Sequence, residues 1–381
     1  MAVRTVLRLA SILTIWAAAV PAALAVLLAT FPAGPRRDRA LGAWTVCGAL
    51  GGAGGFVLGG LVTQAVGWRW LFAVPVVLGL AVVLAGWASL ETGPRRPGQP
   101  DIAGAILGTG ATLLLILGLT QAGEHGFAHW TAWLPLLLSV AAAAGFLAVE
   151  RAVADPLVPP PVWSVPTLML GCLVALVLTF ATSGGNVIGT LFLQQVLELS
   201  AGASGAVFLT FSAAVAIGSA AASAVVRKLG RPRAMVAGLL VIAAAMIVSA
   251  AAVHRQELTL FLAGLSLSGA GLGAASVAST AHGTGTATEH NAGLFGGLLN
   301  AAAQIGTAVG VAMLLVGAAF AAGPPPTTEH TQVRGQVVAY LIAAVVALLA
   351  AIGTAVAGRR PQDQPGPTAP LAQTSQRRSQ S

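Results

Sequence analysis

What most constrains this chain is a feature that repeats: stretches of about twenty apolar residues, the length a helix needs to cross a hydrocarbon layer, separated by short segments that hold turn residues and most of the charge. Eleven such stretches are readable, near 9–31, 41–66, 70–90, 102–121, 130–149, 167–194, 203–226, 234–253, 258–281, 293–321 and 336–358. They are apolar on all faces and rich in Ala, Leu, Val and Gly, whereas a spanning strand alternates and needs only about ten residues. The spacing therefore predicts an all-α integral membrane protein and excludes a barrel. Composition agrees. Of the residues, 56% are hydrophobic and 8% charged, against about a quarter charged in soluble domains.

The segments between the stretches carry turn chemistry: Pro32 to Asp38, Gly93 to Asp101, Asp155 to Pro161, Gly230 to Arg233 and Pro324 to Pro326. Trp68, Trp70, Trp130, Trp133 and Trp163 fall at span ends, where an indole prefers the headgroup layer. The net charge of +8 comes in short runs between spans, which argues against a nucleic-acid partner and for topology. Cys47 and Cys172 lie inside spans without metal-ligand spacing and read as reduced packing residues. The six histidines are scattered over loops, and the GxGxxG-like run at Gly269–Gly273 lies in an apolar span with no strand before it. No metal, nucleotide or other cofactor is expected, and no nucleophile–base pair suggests an enzyme.

Alternate loops separate the cationic residues into Arg36, Arg37, Arg39, Arg95, Arg96, Arg151, Arg227, Lys228, Arg231, Arg233, Arg359, Arg360, Arg377 and Arg378 on one side and Arg4, Arg8, Arg69, Arg255 and Arg334 on the other. Because Arg and Lys resist translocation, the richer side is expected to be cytoplasmic, together with the C-terminus. The N-terminus is then placed outside, although Arg4 and Arg8 alone would keep it in. A signal peptide ending near Ala23-Leu24-Ala25 is one escape, but it would strand Arg36, Arg37 and Arg39 outside. Three further helices upstream resolve the conflict more simply.

Three segments resemble the fourteen-helix drug:proton antiporters of the major facilitator superfamily, the EmrB/QacA-type transporters. The first is TFPAGPRRDRALGAW, followed by GALGGAGGFVLGGLV and GWRWLF, similar to that family's fourth helix, cytoplasmic loop, fifth helix and entry into the sixth. Within it Gly42, Gly51, Gly55, Gly59 and Gly60 match the glycines of the antiporter motif; glycines at spacings of four let two backbones approach in lipid. Phe56 stands where the family has a helix-bending proline. The second segment, from Asp101-Ile-Ala-Gly104 through HGFAHWTAW to Glu150-Arg151 and DPLVPPPVW, is similar to the extra helix pair of fourteen-helix members. The third begins at Thr179: LFLQQVLELSAGASGAVFL, VVRKLGRPRAMVAG and AGLFGGLLNAAAQIGTAVGVAML resemble parts of the C-terminal half.

The resemblance implies a helical bundle of about eleven transmembrane helices: a three-helix remnant of the N-terminal bundle over 1–90, two inserted helices over 91–162, a six-helix C-terminal bundle over 163–358 and a disordered cytoplasmic tail over 359–381. It implies multi-pass residence in the cell membrane and efflux of small hydrophobic or cationic compounds, driven by a proton gradient. Arg36, Arg37, Arg39, Arg227, Lys228, Arg231 and Arg233 are expected to anchor cytoplasmic loops. Asn186, Gln194 and Gln195, and Asn300 with Gln304 four residues on, are candidate cavity-lining groups; interhelical hydrogen bonding is their plainer role. Ser183-Gly184-Gly185 is expected to loosen its helix toward the cavity.

Every carboxylate falls in a loop, at a span end or in the tail. Asp101 and Glu150 therefore read as helix-end charges. In the resembled family a proton-carrying carboxylate lies in the first helix, among the three absent here. The expectation is that this polypeptide does not pump by itself, and a non-transporting remnant or helper packed against another transporter is the alternative. Substrate and oligomeric state are not legible.

Overall fold

In the computed structural model, the structure describes residues 34–67, 101–126, 129–153, 156–288, 291–323 and 328–358, with isolated positions between 27 and 31 and between 70 and 84. Nine long helices run through these residues: α1 Pro35–Val66, α2 Ile102–His125, α3 Trp130–Ala152, α4 Pro166–Leu191, α5 Ala201–Leu229, α6 Arg231–Arg255, α7 Leu258–Gly283, α8 Ala292–Ala322 and α9 Glu329–Ala357. Eight of them, α2 to α9, are long and apolar enough to cross a membrane. The expected spans near 9–31 and 70–90 lie almost wholly outside the described residues, as does the tail.

Local chemistry sets the ends. Asp101 caps α2 by accepting from the Gly104 N–H, Ser200 caps α5 through the Ala203 N–H, and Thr328 and Thr331 form a reciprocal capping box at the start of α9, each satisfying donors that a helix N-terminus leaves open. Gly230 ends α5 and begins α6 at φ +79°, a conformation costly for residues bearing a Cβ. That single residue turns the chain between two spans. α1 starts at Pro35, with proline in its first turn, a position where the missing N–H costs nothing. The helix thus takes in Arg36, Arg37 and Arg39, which the sequence reading had placed around a break.

Helices α4 to α9 pack together. α7 lies against α5 and α6, α4 against α8, and α9 against α6, α8 and α4. The main core draws Val174, Leu178 and Ile188 of α4, Phe208 and Phe211 of α5, Leu239, Ile242 and Met246 of α6, Phe261 of α7 and Tyr340 of α9 into one cluster. α1 packs along α5 and also touches α7, while α2 and α3 form a hairpin attached through α2 to α8. The hairpin's large apolar side chains, among them Leu113, Leu137 and Val140, are exposed; in a bilayer they face lipid, which is as apolar as they are.

The helix of α4 is not loosened at Ser183-Gly184-Gly185. It is continuous there, and both glycines are buried against neighbouring helices. The winding changes about two turns later, at the π-helical turn Phe192–Val196. The glycines make room for close packing instead of breaking hydrogen bonds.

Candidate functional site

The candidate polar groups lie on and beside the contact between α4 and α8, so its geometry comes first. Small residues bring the two backbones together: a Cβ on Gly306 would meet the Leu176 carbonyl oxygen, one on Gly310 would stand 2.6 Å from the Phe180 Cα, and one on Gly184 would stand 2.7 Å from the Gly310 carbonyl oxygen. This proximity lets hydroxyls bridge the helices. Thr179 Oγ1 donates to the Ala303 carbonyl at 2.6 Å, and Ser183 Oγ lies 3.3 Å from Thr307 Oγ1. Such bonds average about 0.6 kcal/mol in membrane proteins, so the seam is held mainly by packing.

Asn186 of α4 and Asn300 of α8 are half-buried, and Gln304 is exposed. Their pairing along the helices differs: Asn186 follows Gly184, which meets Gly310, whereas Asn300 precedes Ala303, which meets Thr179. Asn186 and Asn300 thus sit at opposite ends of the seam. Gln194 and Gln195 lie in the π-helical turn, and both are exposed. Of the five candidates two are thus half-buried and three exposed, and Thr307 is the member of the Asn300 face that reaches the partner helix.

The candidate glycines of α1 divide into two sets. Gly42 and Gly60 are buried: a Cβ on Gly42 would lie 3.6 Å from the Ser219 carbonyl oxygen, and one on Gly60 only 2.9 Å from Gly202 Cα. Position 42 thus meets the end of α5 and position 60 its start, so the two helices run antiparallel. Around Gly51, Gly55 and Gly59 no heavy atom of the described residues lies within 4 Å of the Cβ position. Gly52, not singled out from the sequence, points toward Ser212 Oγ at 3.9 Å. The face against α5 is therefore 42–52–60, and 51–55–59 meets none of the described residues.

Of the candidate loop anchors, Arg36, Arg39, Arg227, Lys228 and Arg233 are exposed, Arg231 is half-buried and Arg37 is buried. Arg231 reaches over the end of α7, where its Nη1 would lie 3.0 Å from a Cβ on Gly285. One turn after Arg37, Leu41 packs with Ala222 of α5, Val277 and Ala281 of α7 and Ala292 of α8. The start of α1 is thus seated where three other helices end or begin.

One group in the bundle was missed. Tyr340, the only tyrosine of the chain, is buried and donates from its hydroxyl to the Gly185 carbonyl at 2.8 Å. Its hydroxyl also stands 3.0 Å from where a Cβ on Gly189 would be, and the Phe261 ring packs on Phe192 at a tilt of 56° with centroids 5.2 Å apart. A lone tyrosine inside an apolar span was the available signal, since a buried phenol must find a partner.

Residues 5–311 and, in a second overlapping alignment, 171–379 match the Major Facilitator Superfamily. The chain is 31% identical to the puromycin resistance protein pur8 of Streptomyces alboniger over 88% of its own length and 69% of that protein. It is 30% identical to the tetracenomycin C resistance and export protein of Streptomyces glaucescens over 77% of its length, spanning 55% of that relative. With the multidrug resistance protein Stp of Mycobacterium tuberculosis the identity is 29%, over 80% of this chain and 57% of the relative. The chain thus spans little more than half the length of two of these relatives. Among solved structures, an auto-inhibited peptide transporter of the POT family superposes with a TM-score of 0.50 at 19% identity, covering 88% of this chain and 73% of that one, which is a likeness of fold alone. Matched over most of its length, this multi-pass chain belongs to the Major Facilitator Superfamily, a family of transporters and not of enzymes.

Proposed function

We propose that the chain serves efflux of small hydrophobic or cationic compounds in exchange for protons, as a relative of the fourteen-helix EmrB/QacA-type exporters, with its C-terminus in the cytoplasm. The observation that carries the reading is the similarity to proteins named for drug resistance and export, puromycin and tetracenomycin among them. Asn186, Asn300 and Gln304, none of them fully buried, would offer substrates of mixed polarity hydrogen-bonding groups without a fixed charge. Superfamily members carry substrate between two such bundles. The cationic bias of the loops supports the orientation.

A second reading has its own observation. The 51–55–59 face of α1, which no described residue covers, suits a membrane protein that packs against another transporter and carries nothing itself.

Inverted membrane vesicles holding this polypeptide separate the two. Efflux by this chain unaided, which would overturn the expectation that it does not pump by itself, predicts that a cationic dye accumulates when a proton gradient is imposed and leaks back when it is collapsed, and that Asn300→Ala or Gln304→Ala lowers the rate several-fold. Equal dye uptake with and without the chain would sink the efflux reading and leave the helper.

A further inference from the structure

The span interiors hold no carboxylate, yet the structure brings two from span ends into one buried place. Asp101 stands at the start of α2 and Glu150 in the last turn of α3; they are 8% and 2% exposed. Each commits one oxygen to the backbone: Asp101 Oδ1 accepts from the Gly104 N–H at 2.7 Å, and Glu150 Oε2 accepts from the Val158 N–H at 2.8 Å. The second oxygen of each, Asp101 Oδ2 and Glu150 Oε1, is inaccessible and has no hydrogen-bond partner among the described residues. Both converge over Gly104, where a Cβ would collide with Asp101 Oδ2 and stand 2.9 Å from Glu150 Oε1. A cavity of about 190 Å³ lined by Leu147, Glu150, Arg151, Pro160 and Trp163 adjoins the pair.

We propose that Asp101 and Glu150 bind one proton between them, and that this proton latches the α2–α3 hairpin to the segment leading into α4. Fully ionised, the pair would set two anions in a buried space with no donor to their free oxygens among the described residues, which like charges resist. A single proton turns one free oxygen into a donor for the other, so both unpartnered atoms are satisfied at once. A calcium or magnesium ion would ask for six or more oxygen ligands, and the site offers two. Arg151 lines the same cavity but is itself exposed to solvent. The 3₁₀ turn Pro160–Ser164 and α8, which packs on α2, contribute no charged residue; Glu91, Arg95 and Arg96, which precede Asp101 in the chain, and Asp155 lie outside the described residues. The proton enters from water through the cavity beside Glu150 and leaves the same way, with no other reactant. Its loss sets two charges against each other over Gly104, and their repulsion draws Glu150 aside and loosens its bond to Val158, a tie that adds to the hairpin's packing on α8. The latch does not rest on the efflux reading.

The test is an infrared titration of the full chain in lipid nanodiscs. Glu150→Gln and Asp101→Asn each keep an acceptor for their backbone N–H and supply an amide donor to the partner, so both imitate the protonated pair. A protonated-carboxyl C=O band that fades as pH is raised, and that is missing from both variants, is the expected result. At high pH the Val158 amide of the wild type should exchange several-fold faster than that of E150Q at the same pH. No such band in the wild type at any pH would overturn the proposal, and the wild-type titration needs neither variant to fold. A band that persists in both variants, or a carboxylate shift on adding sodium, magnesium or calcium in place of the proton effect, would overturn it too.

Discussion

Helix α1 and the six-helix unit use glycine in opposite ways. In the unit, Gly218 and Gly273 sit where a Cβ would run into the backbone of the facing helix at Ala270 and Val215, and Gly306 and Gly310 do the same across the α4–α8 seam. On α1, Gly51, Gly55 and Gly59 face nothing within 4 Å among the described residues. A GxxxG spacing is thus one pattern with two outcomes here: across from a described helix the missing side chain admits its backbone, and on the 51–55–59 face no described residue makes use of the space.

The comparison can be broken or sharpened by substitution, read as unfolding free energy in detergent micelles. Gly273→Val should be the most damaging, about 3 kcal/mol, because overpacking there must push apart two backbones. A loss within experimental error would mean that α5 and α7 do not pack as described. Gly60→Ala should cost about 1–2 kcal/mol for the same reason at the α1–α5 contact; if it proves silent, α1 is not seated on α5. Tyr340→Phe keeps the ring and removes only the bond to the Gly185 carbonyl, so a loss of about 1 kcal/mol is expected. Ser183→Ala should be smaller, near 0.6 kcal/mol. Gly55→Ala should change stability by less than about 0.5 kcal/mol. A large loss at Gly55 would show that the 51–55–59 face is covered in the membrane, and would turn the comparison into one between two closed faces.

Some of this was legible in the residues. Apolar runs placed α2 to α8 to within about four residues, and α9 except for its start, read at 336 and found at Glu329, because helix length is dictated by hydrocarbon thickness and by the need to satisfy every backbone group within the helix. Helix ends were legible too where the chemistry is local, as at Asp101 and Gly230. Gly42 and Gly60 were read as packing glycines and do lie against α5. Their neighbours Gly51, Gly55 and Gly59 carry the same spacing but face another way, a matter of helix rotation that spacing leaves open.

The sequence by itself determined a multi-pass helical membrane protein, since hydropathy acts over each span independently of the others. Tertiary structure alone decided which small residues meet, that Tyr340 reaches Gly185, and that Asp101 and Glu150, each an ordinary helix-end charge along the chain, share one buried space. These are contacts between distant segments, set by helix rotation and crossing, and no property of a single span specifies them.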